Sequence, residues 1–198
     1  MKERPIIFSG PMVRAILEGR KTQTRRIIKG SKFWGDHIVT VRHLDDAEWR
    51  LEGNIKINEI LHGNPVTFVD VKCPYGEPGD RLWVRETFFE SEGLLIYRES
   101  TPDSGPWKSP IYMPRWASRI NLIVKSVRVE RLQEITEEDA IAEGFVSTSI
   151  LTQAGDDYTG MYAVEHFQDA WDTINKKRAP WESNPWVFVI TFEKIDNK

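Results

Sequence analysis

A single cysteine, Cys73, stands in this 198-residue sequence, so no intramolecular disulfide can staple the fold and the small secreted scaffold class is excluded. No apolar run approaches the ~18 residues that a membrane-spanning helix needs, so no membrane partner is expected. The amino-terminal stretch is broken by Pro5, Ser9, Gly10, Pro11 and Arg14, so it lacks the hydrophobic segment of a secretory signal and a cytoplasmic location is expected. His37, His43, His62 and His166 share no C-x-x-C or H-x-x-x-H spacing with one another or with Cys73, so no metal site is expected. The glycines are scattered and form neither a phosphate-binding loop nor a dinucleotide fingerprint, and no cofactor is expected. Internal repeats, coiled-coil heptads and low-complexity segments are absent as well.

What is present suits a packed globular core: 40% apolar, 29% charged and 11% aromatic residues, at a length nearer one domain with insertions than two. The net charge of −3 conceals its distribution. Between Arg14 and Lys32 stand Arg14, Arg20, Lys21, Arg25, Arg26, Lys29 and Lys32 against Glu18 alone, whereas Glu134, Glu137, Glu138, Asp139 and Glu143 form a purely acidic stretch. A local positive field able to gather phosphates is thus compatible with an acidic chain, although balanced solvated faces would produce the same pattern.

The pattern along the chain is that of a mixed α+β domain built on a curved sheet or small barrel. Ile6–Phe8 reads as a strand, Ser9-Gly10-Pro11 as a helix start, Met12, Ala15 and Ile16 as its apolar face, and Gly19 as its left-handed end. The β-prone run that follows projects Thr22, Thr24 and Arg26 to one side and Gln23, Arg25 and Ile27 to the other. Residues 30–64 read as a peripheral insertion, with weak strands near His37–Arg42 and Glu48–Leu51. Val66–Val71, Arg81–Val84 and Leu94–Tyr97 are further strand candidates, and Ile120–Leu132 alternates with an irregularity near Ser126 that suggests a bulge. Thr136 caps a second helix ending at Gly144, residues 160–175 carry amphipathic helical spacing, and Pro185–Phe192 closes the chain as a buried strand. Trp171 and Trp186 fall in periodic apolar segments and are core candidates.

The run Gly19-Arg20-Lys21-Thr22-Gln23-Thr24-Arg25-Arg26 resembles the G-x-K-x-x-[E/T]-x-R signature of ASCH domains, a branch of the PUA-like superfamily. The likeness continues through Gly79–Glu86, Trp116–Ile120, Ala140–Gly144 and Asn184–Val187, and together these segments resemble the ASCH-domain proteins of bacteriophages and prophages. The resemblance implies one domain over residues 1–198, a small curved β-barrel with flanking helices, and a cleft for RNA or a modified nucleoside. It also implies a possible hydrolase, either a metal-independent ribonuclease or an amidohydrolase that deacetylates 4-acetylcytidine. In the amidohydrolase branch a lysine, a threonine and a later glutamate act together, and these map to Lys21, Thr24 and Glu143. The insertion at 30–64 and the helix near the carboxy terminus depart from that compact branch.

Chemically, Thr24 and Arg26 on one strand face stand ~7 Å apart, a span that suits two ends of a small ligand. Lys21 has two alternative roles. In contact with Glu143 it is a protonated stabiliser of an oxyanion or phosphate, with Glu143 or a bound water transferring the proton; desolvated, with Glu143 on the ligand amine instead, it is a base for the Thr24 hydroxyl. Arg20, Lys21, Arg25, Arg26, Arg85 and Arg119 are candidates for binding a nucleic acid or nucleoside, with Trp83 and Trp116 as stacking surfaces. Arg85 or Arg119 could instead pair with Glu86, and Trp83 could be core. A third reading is an accessory protein that binds a host protein through residues 30–64 and 145–160.

Overall fold

Alternation in the last apolar run decides how the layers are arranged. Trp186, Phe188, Ile190 and Phe192 enter one buried cluster, while Val187 and Val189 enter a second on the opposite face. A strand apolar on both faces must lie inside the sheet with layers on either side. The computed structural model describes residues 1–29, 38–45, 48–55, 66–101, 105–151 and 158–195. In chain order its strands are β1 (Glu3–Ile7), β2 (Gln23–Ile27), β3 (Ile38–Asp45), β4 (Glu48–Ile55), β5 (Val66–Lys72), β6 (Arg81–Arg85), β7 (Phe88–Ser91), β8 (Leu94–Tyr97), β9 (Asn121–Arg131), β10 (Thr148–Leu151), β11 (Tyr158–Met161) and β12 (Trp186–Ile195). Its helices are α1 (Gly10–Leu17), α2 (Glu137–Ala142) and α3 (Ala163–Asn175). Lys32, His37 and His62 lie outside the described residues, as do parts of the 30–64 and 145–160 insertions.

The fold is mixed α+β. Its main sheet has the order β1-β6-β9-β12-β2, with β1 parallel to β6 and the remaining neighbours antiparallel. The expected bulge is present: β12 shifts register between Thr191 and Phe192, which pair with Ser126 and Val124 and leave Lys125 as the extra residue. Among the described residues the sheet does not close into the expected barrel; β1 and β2 are its edges. Helix α1 joins these edges and buries Val13 and Ile16 in the main cluster, and a side chain, Arg26, crosses to the Ile7 carbonyl at 2.7 Å. A guanidinium thus reaches from one edge of the sheet to the other without a strand ladder between them.

The second face of the sheet is covered by α2 and α3, with Ala140, Ala163, Phe167 and Trp171 packed against Val187 and Val189. The insertion is less peripheral than its sequence suggests. Strands β3, β4 and β5 form an antiparallel sheet that delivers Trp49 and Leu51 to the main core, where the Trp49 ring lies 5.6 Å from that of Phe188. Both tryptophans expected in the interior, Trp171 and Trp186, are buried.

Candidate functional site

The stretch from α1 to β2 positions the cationic signature. Gly19 adopts φ 76°, and the chain turns back so that Lys21 N donates to the Ala15 carbonyl at 3.0 Å and Thr22 N to that of Ala142 at 2.8 Å. The start of β2 is therefore fastened to α1 and to the end of α2 before any side chain acts. Register then divides the strand as its alternation predicts. Thr24 and Arg26 oppose Ile190 and Phe188 of the main core, while Arg25 opposes Val189 of the second cluster.

Lys21 and Glu143 are both buried and meet directly, Nζ to Oε2, at 2.6 Å. The ammonium also donates to the Gln23 carbonyl at 2.7 Å and the Glu143 carbonyl at 2.8 Å, so its three hydrogens all have protein acceptors. Burial pushes the Lys21 pKa below its ordinary value, with Glu143 pulling in the other direction. Of the two arrangements considered for Lys21, the structure has the one with a Lys21–Glu143 contact.

Arg25 completes a buried network. Its Nη2 donates to Glu130 at 2.6 Å and Asp139 at 2.7 Å, its Nη1 to Gln23 Oε1 at 2.7 Å, and its Nε to Glu130 at 3.0 Å. Arg128 reaches the same Glu130 and Asp139, each at 2.8 Å. Lys21, Arg25 and Arg128 thus face Glu143, Glu130 and Asp139, charge against charge. The Arg25 side chain is fully enclosed and faces these carboxylates, not a surface where a phosphate could reach it. Burial alone would raise the Asp139 pKa, but Arg25 and Arg128 hold it below the usual carboxylate value.

The opposite face of β2 is different. Arg26 packs over two rings, 5.1 Å from the Phe8 centroid and 5.7 Å from that of Tyr75, and its Nη2 is fixed by Ile7. Its Nε is buried without a partner. Lys21 Nζ lies 5.4 Å from the same Phe8 ring, which links the two faces. Thr24, on the same face, is buried.

The remaining candidates separate. Arg20 is exposed, bonded to Glu18 and to the Gly144 carbonyl at 2.8 Å, and borders a groove of about 340 Å³ with Met12, Phe145, Val146 and His166. Lys21, Thr24, Arg26 and Glu143 do not line that groove. Arg119 forms the pairing with Glu86 that its sequence allowed, Nε at 2.8 Å and Nη2 at 2.9 Å. Trp83 is buried and offers no face to a base, because Arg85 and Arg115 cover its ring at 4.7 and 5.9 Å. Trp116 is 67% exposed. Phe8, Tyr75, Glu130, Asp139 and Arg128 were not singled out in the sequence; each earns its place through a partner distant in the chain.

The lone thiol, Cys73, is buried and pushed up to about 11 by that burial, which makes it a poor nucleophile. Among the described residues no three of His, Cys, Asp and Glu converge as metal ligands, and no helix is long and apolar enough to cross a membrane. No protein-family model, curated protein or solved structure matches the chain.

Proposed function

We propose that this is an ASCH-type, PUA-like domain that binds RNA or a modified nucleoside at the seam between β1 and β2. The observation that carries the reading is the setting of Arg26. A guanidinium held between Phe8 and Tyr75 and fixed by one carbonyl keeps donors to spare, and the Thr24 hydroxyl shares its strand face. A buried donor without an acceptor costs ~1–3 kcal/mol, so an acceptor brought to this guanidinium gains from pairing with it. A pyrimidine carbonyl or a phosphate supplies one, and a flat heterocycle suits the neighbouring rings. Lys21 and Glu143 sit behind this face as the charged brace that holds β2 to α2. Further support comes from where the other family-like segments fall: Gly79–Glu86 along β6, Ala140–Gly144 at the end of α2, and Asn184–Val187 at the entry to β12.

The Lys21–Glu143 contact also favours a second reading, hydrolysis of an N-acylated cytosine nucleoside with Thr24 as nucleophile. That step requires a base for the Thr24 proton, and an ammonium donating to a carboxylate 2.6 Å away is poorly placed to accept one. Binding is therefore the reading the geometry favours.

Calorimetric titration with cytidine, 4-acetylcytidine and a short single-stranded RNA tests it. The expected result is measurable binding that weakens tenfold or more in Arg26→Ala, since a hydrogen bond from a charged donor contributes ~1.5–3 kcal/mol. Wild-type protein that binds none of the three overturns it. Mass spectrometry of the same mixtures reads the hydrolytic alternative, which falls if wild-type protein releases no acetate above a buffer blank.

A further inference from the structure

Two groups of arginines contrast in this protein. Arg25 and Arg119 direct guanidinium nitrogens onto carboxylates that are half-buried (Glu130, Asp139) or buried (Glu86). On the outer face of β6, Arg81 and Arg85 each leave a buried Nε without an acceptor, and Arg85 forms no ion pair among the described residues. We propose that this outer face is a track for the sugar-phosphate backbone of a single-stranded nucleic acid, leading to Arg26, so that the seam takes a nucleotide within a strand in preference to a free nucleoside. The inference rests on the reading of Arg26 as a nucleoside contact.

Register lays out the track. Leu82 and Val84 face the main core, so Arg81, Trp83 and Arg85 project to the other side, beside Glu3, Pro5 and Ile7 of β1. Trp83 serves there as a seat for cations: Arg85 and Arg115 stack on its ring, which keeps two flexible side chains in place before any ligand arrives. Glu3 is bonded to Arg115 at 3.0 Å and lies 4.0 Å from Arg81, so two arginines face this carboxylate. Trp116, next to Arg115, exposes 67% of its surface and can take a stacked base.

The two sites lie on opposite faces of the sheet and meet at its edge, at Ile7, whose Cα pairs with that of Arg85 while its carbonyl accepts from Arg26. Four residue-to-residue steps of strand take Arg81 to Arg85, ~13 Å, a run that spans more than one nucleotide before the seam is reached. Aromatic stacking together with cations along a line is the chemistry of single-strand binding. RNA and DNA share it at the phosphodiester, so the test includes both.

Fluorescence anisotropy with labelled 12-nucleotide single strands of RNA and DNA, read beside calorimetric binding of cytidine, decides the matter. The better of the two strands is expected to bind at least tenfold more tightly than cytidine. In Arg85→Ala the ratio of strand to cytidine affinity is expected to fall about tenfold, and the slope of log affinity against log salt to shrink by ~0.7, the value for one phosphate contact on a single strand. Trp116→Ala, at an exposed position where folding is not at stake, is expected to lower strand affinity five- to tenfold. Strands that bind no better than cytidine overturn the track and leave the seam standing, as does a strand affinity unmoved by both variants. Absence of cytidine binding together with absence of strand binding removes the seam and the track alike.

Discussion

Lys21 and Glu143 are separated by 122 positions in the chain and meet at 2.6 Å with almost no exposed side-chain surface. Such a pair gains from attraction and loses from desolvation, and the two nearly cancel; removing one partner leaves the other charged, buried and alone. Lys21→Ala and Glu143→Ala are each expected to destabilise the fold by ~3–5 kcal/mol. The double replacement Lys21→Met with Glu143→Leu should recover most of that loss. Urea unfolding of the three variants checks this, and a double variant no more stable than the singles would show that the pair is not self-contained.

Acid should loosen the same region through Asp139. Its pKa is depressed in the folded protein, so its contribution to stability is complete above the unfolded value of ~3.9 and is lost as the pH falls through the folded value. Wild-type protein is therefore expected to lose stability progressively below about pH 4. Asp139→Asn should be less stable at neutral pH and show a shallower loss over that interval. Thermal melting from pH 2 to 7 measures both slopes; parallel profiles would remove Asp139 from the account.

Helix ends give a smaller effect. Thr136 Oγ1 accepts from Asp139 N at 3.2 Å and caps α2, whose last turn positions Glu143. Thr136→Ala is expected to cost ~1 kcal/mol, and Thr136→Asn to retain most of it. Comparison of the two melting curves separates a lost cap from a lost methyl contact.

Local pattern made part of this legible before the structure. Period-two alternation from Thr22 to Ile27 assigned Arg25 and Arg26 to opposite faces, and Gly19, Thr136 and Gly144 marked the helix boundaries where they occur. Partners set by long-range register were not legible. Arg25 meets Glu130 because β2 and β9 flank β12, a relation that no spacing within either segment encodes. Trp83 has the flanking residues of a core strand and the neighbours of a binding surface; it is buried, yet beneath guanidiniums instead of aliphatic side chains. The 30–64 insertion concealed its core residues because register shifts in the β3–β4 and β4–β5 ladders break the alternation on which strand reading depends.

Trp49 provides the test of that insertion. Its ring is 4% exposed and lies against Phe188 of the central strand, so the inserted sheet and the main sheet share one apolar cluster. If they unfold together, Trp49→Ala should lower global stability by ~3–5 kcal/mol, the usual cost of emptying a large aromatic site. A separately folding insertion would instead give a second transition, with the main one unchanged. Far-ultraviolet circular dichroism and tryptophan fluorescence, followed through the same urea titration, distinguish these outcomes. Coincident curves shifted to lower urea are expected, because a side chain that fills the space beside Phe188 cannot be lost without opening a cavity in the cluster that also holds Leu82, Val84 and Ile190.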